Sequence, residues 1–101
     1  MEVKVKVHSI HFDADQKLLD FIDKKLQKIQ KIEPHVIDIQ VFLKLDAGNG
    51  GYHEKIAEIK VNLPGKIIFS KEQAESFEIS VEGALDNTLT QIKKYKEKLA
   101  N

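Results

Sequence analysis

The feature that most constrains this chain is a change in the period of its apolar residues. "VKVKVHSI", from Val3 to Ile10, alternates strictly, with Val3, Val5 and Val7 on one side and Lys4, Lys6 and His8 on the other. A period of two is that of a strand with one buried face. "FDADQKLLDFIDKKLQKIQKI" abandons that rhythm: Leu18, Ile22, Leu26 and Ile29 recur at steps of four, four and three, the spacing of one helix face. Asp13 or Asp15 can cap this helix, because a short carboxylate accepts hydrogen bonds from the free amides of the first turn. Pro34 requires the helix to have ended before it.

Alternation then returns. "VIDIQVFLKLD" points Ile37, Ile39, Val41, Leu43 and Leu45 inward, "AGNGGYH" is a glycine-rich turn, and "IAEIKVNL" places Ala57, Ile59, Val61 and Leu63 on one face. Pro64 and Gly65 make a second turn, and "KIIFSKE" is a shorter fourth strand, so the last three strands form an antiparallel meander. From about Ser76, a candidate N-cap, helical spacing resumes through Val81, Leu85, Thr88, Ile92, Tyr95 and Leu99. The order is β-α-β-β-β-α. It predicts an α+β two-layer sandwich, a four-stranded mixed sheet with two helices on one face. The first two strands should be parallel, joined by a right-handed crossover. At 101 residues the chain suits one domain, residues 1–101.

The charges are unevenly placed. The chain has 16 basic and 16 acidic residues, yet residues 87–101 carry four lysines and one acid, while residues 1–86 carry twelve lysines and fifteen acids. Every basic residue is lysine. Lysine acts as a point charge, whereas arginine supplies the bidentate fork used to read bases and carboxylates. A nucleic-acid partner would therefore be met at its phosphates and by its shape. At 100° per residue, Lys17, Lys24, Lys28 and Lys31 fall within about 60° of one another on the first helix, and Lys25 lies nearer the apolar edge. On the last helix Lys93, Lys94 and Lys98 project from the seam, with Lys96 at its margin and Tyr95 in it.

Each stripe also has a plain structural explanation. Charged faces keep helices soluble, and cations near a helix C-terminus gain about 0.3–1 kcal/mol from the macrodipole. Four lysines in six residues repel one another, so the dipole does not account for their number. Two lysine-bearing helices side by side make a phosphate-binding surface.

No catalytic constellation is present. "GNGG" lacks the Gly-Lys-Ser/Thr ending of a phosphate loop. His8 and His11, three apart on a strand, face opposite sides and do not suit one metal. His35 and His53 lie in or beside turns with no evident partner. Glu75, Glu78 and Glu82 suit the positive end of the last helix. There is no cysteine, no secretory leader pattern and no apolar run of the roughly 20 residues that span a bilayer. The chain is read as non-enzymatic, without cofactor, metal, membrane or small-molecule substrate.

Four stretches, in order and spacing, resemble the ribosome hibernation promoting factor family, also called ribosome-associated inhibitors or sigma-54 modulation proteins. "HFDADQKLLDFIDKKLQKI" resembles its first helix, with Leu18, Phe21, Ile22, Lys25, Leu26 and Lys28 on the pattern. "VFLKLD" resembles its second strand, and "AEIKVNLPGKIIFSKEQAESFEISVEGAL" its third and fourth strands and the entry to its last helix. "QIKKYKEKL" resembles its lysine-x-lysine-x-lysine ending, at Lys94, Lys96 and Lys98. The resemblance implies a fold similar to double-stranded-RNA-binding domains. It implies binding of the small ribosomal subunit in the messenger and transfer RNA channel, in the cytoplasm, silencing idle ribosomes in stationary phase or stress. The expected rRNA-binding residues are Lys24, Lys25, Lys28, Lys31, Lys93, Lys94, Lys96 and Lys98. Ending at Asn101, the chain resembles the short form, a monomer without the long form's dimerising domain. Thr90 and Asn87 stand where the family commonly has basic residues, which motivates an alternative: a protein-interaction module of the sigma-54 modulation type with weakened RNA binding.

Overall fold

The computed structural model describes residues 3–10, 12–47 and 53–100. The elements run β1 (Val5–Ile10), α1 (Gln16–Ile32), β2 (Asp38–Ala47), β3 (His53–Leu63), β4 (Lys66–Ala74) and α2 (Phe77–Ala100). One sheet holds the four strands in the order β1-β2-β3-β4. β1 pairs with β2 in parallel, Val5 opposite Ile39. β2 with β3 and β3 with β4 are antiparallel, with Val41 opposite Ile59 and Val61 opposite Ile68. The fold class is the α+β sandwich that the alternating periods predict.

Local chemistry places each boundary. Asp15 is the N-cap of α1, its carboxylate accepting from the Leu18 amide at 2.8 Å. The helix stops at Ile32, with Glu33 as C-cap and Pro34 next. The Pro64–Gly65 turn closes between the paired residues Leu63 and Lys66, and Gly65 takes φ +76°. Proline followed by a positive-φ glycine is the pattern of a type II turn. Ser76 caps α2 through its hydroxyl, 3.2 Å from the Ile79 amide. β4 runs to Ala74, two residues past the sequence expectation, and His53 opens β3 rather than lying in a turn. The expected turn at "AGNGGYH" lies mostly outside the described residues, as does His11.

Both helices lie on one side of the sheet, α1 against β1 and α2 against β3 and β4, and they touch each other. Between the layers are Leu18, Ile22, Leu26 and Ile29 from α1, Ile39, Val41, Leu43, Ala57, Ile59, Val61 and Ile68 from the sheet, and Val81, Ala84, Leu85 and Ile92 from α2. Three residues expected to point inward do not stay covered: Ile37 is 61% exposed, Leu45 43% and Leu99 68%. Ile37 lies just before β2, and Leu45 and Leu99 lie near the ends of β2 and α2, where the chain outruns the opposing layer. Tyr95 is partly buried and packs on the core as expected.

Polar bonds fix α2 on the sheet. Thr88 is fully buried, and its hydroxyl donates to the Ala84 carbonyl and accepts from the Ser70 hydroxyl, both at 2.9 Å. Gln91 Nε2 donates to the Phe69 carbonyl at 2.9 Å and to Ser70 Oγ at 3.1 Å. At the other side of the sheet, the Gln27 amide holds Val3, donating to its carbonyl at 3.0 Å and accepting from its N–H at 3.3 Å. A stack of Phe12 on Phe77, with centroids 4.9 Å apart, ties the approach to α1 to the first turn of α2.

Candidate nucleic-acid interface

α1 buries one stripe, so the residues half a turn away must face water. Lys24, Lys28 and Lys31 are exposed there, and none of them has a hydrogen-bond or ion-pair partner among the described residues. Lys25 is nearer the core. Its Nζ sits 5.6 Å from the centre of the Phe21 ring and 3.6 Å from Glu82 Oε1 on α2. A cation over an aromatic face is held by the ring's quadrupole. Phe21, Lys24, Lys25, Gln27, Lys28 and Lys31 line one depression of about 430 Å³. The structure therefore gathers all four candidate lysines of α1 around a single concavity.

The α2 lysines are not part of it. Lys93, Lys94 and Lys98 are exposed. Lys96 bends back toward α1: its Nζ donates to the carbonyl of Ile32, 2.5 Å away. That carbonyl belongs to the last turn of α1, where the main-chain oxygens lack helical partners and the dipole is negative. Lys96 thus caps the neighbouring helix, and with Lys25–Glu82 it joins the two helices into one layer. The eight residues divide into three exposed cations on α1, three on α2, and two held by internal contacts.

Sequence reasoning missed Glu33. It is 5% exposed, and its carboxylate accepts from the His35 main-chain N–H at 3.0 Å and lies 2.9 Å from His35 Nδ1. The His35 amide bond is the main force holding the Glu33 pKa below the ordinary carboxylate range. Burial opposes it, and the His35 side chain and Lys96 assist. So His35 does have a partner. The available signal was an acid directly before the proline that ends a helix, a position the dipole disfavours unless local amides hold the charge. Glu33, Pro34, His35, Lys96 and Leu99 line a second depression of about 350 Å³ at this end of the molecule. Glu82, read from the sequence only as a charge near the start of α2, contributes the inter-helix bridge.

Among the described residues no group of three or more His, Cys, Asp or Glu side chains is placed to hold a metal, and His8 lies on the Phe42 ring, centroids 4.8 Å apart. Among the described residues no helix is long and apolar enough to cross a membrane. What the arrangement offers is a set of unpaired ammonium groups on a rigid two-helix layer. Fold and surface together define an α+β protein with free lysines on both helices.

The family model described as sigma 54 modulation protein / S30EA ribosomal protein matches residues 5–100. The chain belongs to this family of ribosome-associated proteins. It is 23% identical over 96 residues to a ribosome hibernation promoting factor of Pseudomonas putida, covering 95% of this chain and 89% of the relative. A ribosomal subunit interface protein from Coxiella burnetii superposes with a TM-score of 0.83 at 22% identity, covering 94% of this chain and 99% of that one. The N-terminal domain of Thermus thermophilus Protein Y superposes with a TM-score of 0.70 at 20% identity and the same coverage. The two solved structures establish the likeness of fold.

Proposed function

We propose that this chain is a non-enzymatic, cytoplasmic translation inhibitor that occupies the messenger and transfer RNA channel of the small ribosomal subunit in stationary phase or stress. The observation that carries the reading is the concavity on α1, in which Lys24, Lys28 and Lys31 are exposed and unpaired, in a chain that belongs to a ribosome-associated family. Cations already neutralised by acids gain little from a new anion; free ones gain by displacing the counterions condensed on a phosphate backbone. Lys93, Lys94 and Lys98 extend the surface along α2. Lys25 and Lys96, held by Glu82 and Ile32, add to the field and keep the helices in register. The chain acts as a single domain and a monomer.

Sedimentation of the protein with purified small and large subunits at two salt concentrations tests the proposal. Binding to the small subunit should weaken steeply with salt and be displaced by messenger and initiator transfer RNA. Equal binding to both subunits, or binding indifferent to salt, would refute it.

A further inference from the structure

The second face of the sheet is not covered by helices. On it the paired positions form two central rows, Lys6, Gln40, Lys60 and Phe69 in one and His8, Phe42, Glu58 and Lys71 in the next. The solvent side of such a sheet is ordinarily polar. Here Phe69 is 50% exposed, Ile67 beside it is 59% exposed, and the exposed His8 ring lies nearly parallel to Phe42. Lysines are set between the rings. Lys6, Lys60 and Lys71 have no ion-pair partner among the described residues. The single acid of these two rows, Glu58, is already engaged, 2.8 Å from Lys44 Nζ.

We propose that this open face binds a single-stranded RNA segment, its bases against Phe69 and the His8–Phe42 pair and its phosphates against Lys6, Lys60 and Lys71. The proposal goes beyond the helix-face reading and does not depend on it. Two features select this partner. A duplex keeps its bases stacked inside and offers phosphates and sugars, so exposed rings gain little from it; a single strand offers free base faces. The core of a protein interface is depleted in lysine, whereas here lysine and aromatic positions are interleaved across neighbouring strands. Phe42 and Phe69 lie two strands and one pleat repeat apart, about 12 Å from standard sheet spacings, so two separate bases can be held.

The test is fluorescence anisotropy of the full chain with labelled oligouridine of about 12 nucleotides, within the ~4–16 that single-strand-binding folds cover. A duplex of the same length serves as competitor. Phe69→Ala should weaken binding about tenfold, with an unchanged circular dichroism spectrum because the ring is half exposed. Lys6→Ala with Lys71→Ala should lower the log–log salt slope by about 1.4, at roughly 0.7 per lost contact on a single strand. Phe69→Ala should weaken oligouridine binding by the same factor in a Lys28→Ala, Lys31→Ala background, which keeps this site distinct from the ribosome-binding proposal. The inference is overturned if the parent protein does not bind oligouridine, if duplex competes as well as single strand, or if Phe69→Ala binds like the parent. A dimer lost on Phe69→Ala, without oligouridine binding, would assign the face to a second copy of the chain.

Discussion

Replacing Lys24, Lys28 and Lys31 together by alanine isolates the electrostatic contribution of α1. All three are exposed and lack an internal partner, so the fold should tolerate their loss. Surface changes of this kind usually stay within about 0.5 kcal/mol each, and alanine is the best helix former, which offsets part of any cost. On ribosomal RNA the arithmetic differs. If each lysine neutralises one phosphate, the log–log salt slope falls by about 0.7–0.9 per residue, or roughly 2–2.7 for three. Between 50 and 200 mM salt the parent should therefore lose about 20- to 40-fold more affinity than the triple variant. The assay is co-sedimentation with small subunits over that range, paired with thermal melting of the same preparations. A variant that melts like the parent, binds more weakly at low salt and shows a flatter salt response fits the expectation. An unchanged slope with an intact fold refutes it, because the concavity would then touch no phosphate.

Two further outcomes test the packing and the buried charge. Ile92 is fully buried between α2 and the sheet, so Ile92→Ala should cost about 2–5 kcal/mol from lost transfer energy and the cavity left behind; a melting midpoint equal to the parent's would refute the placement of α2. Glu33 has a lowered pKa in the folded chain. Its contribution is therefore fully present above its unfolded value near 4.3 and is lost as pH falls through the folded value. Urea denaturation should show the parent more stable than Glu33→Gln at neutral pH, with the gap closing in acid; a gap independent of pH would refute the assignment.

Much of this architecture was legible because periodicity reports faces directly. Leu18, Ile22, Leu26 and Ile29 were assigned to one stripe by spacing, and all four are buried. Ala57, Ile59, Val61 and Leu63 behave the same way on β3. Periodicity does not say where the opposing layer stops, so Ile37, Leu45 and Leu99 kept the right phase but outran their cover. Nor does it show contacts between elements distant in sequence. Nothing local marks Lys96 as the cap of a helix 64 residues earlier, Lys25 as the partner of Glu82, or Gln91 as a bond to β4. The lysine stripes were visible as charge patterns, but which lysines remain free depends on those long-range contacts.

The glutamines on the helices also bear on how the protein behaves in a crowded cell. An open sheet has two outer strands whose unpaired main-chain groups invite another chain to add on. Here Gln27 engages both the N–H and the carbonyl of Val3 beside β1, and Gln91 occupies the Phe69 carbonyl on β4. A neutral amide from the helix layer thus blocks β4 at one point and the chain just before β1 at another. Proteins often guard such strands with charge, which weakens as salt rises. A guard made of amide hydrogen bonds does not. The chain should therefore resist strand-to-strand polymerisation at high salt and high protein concentration, where its lysines are most screened.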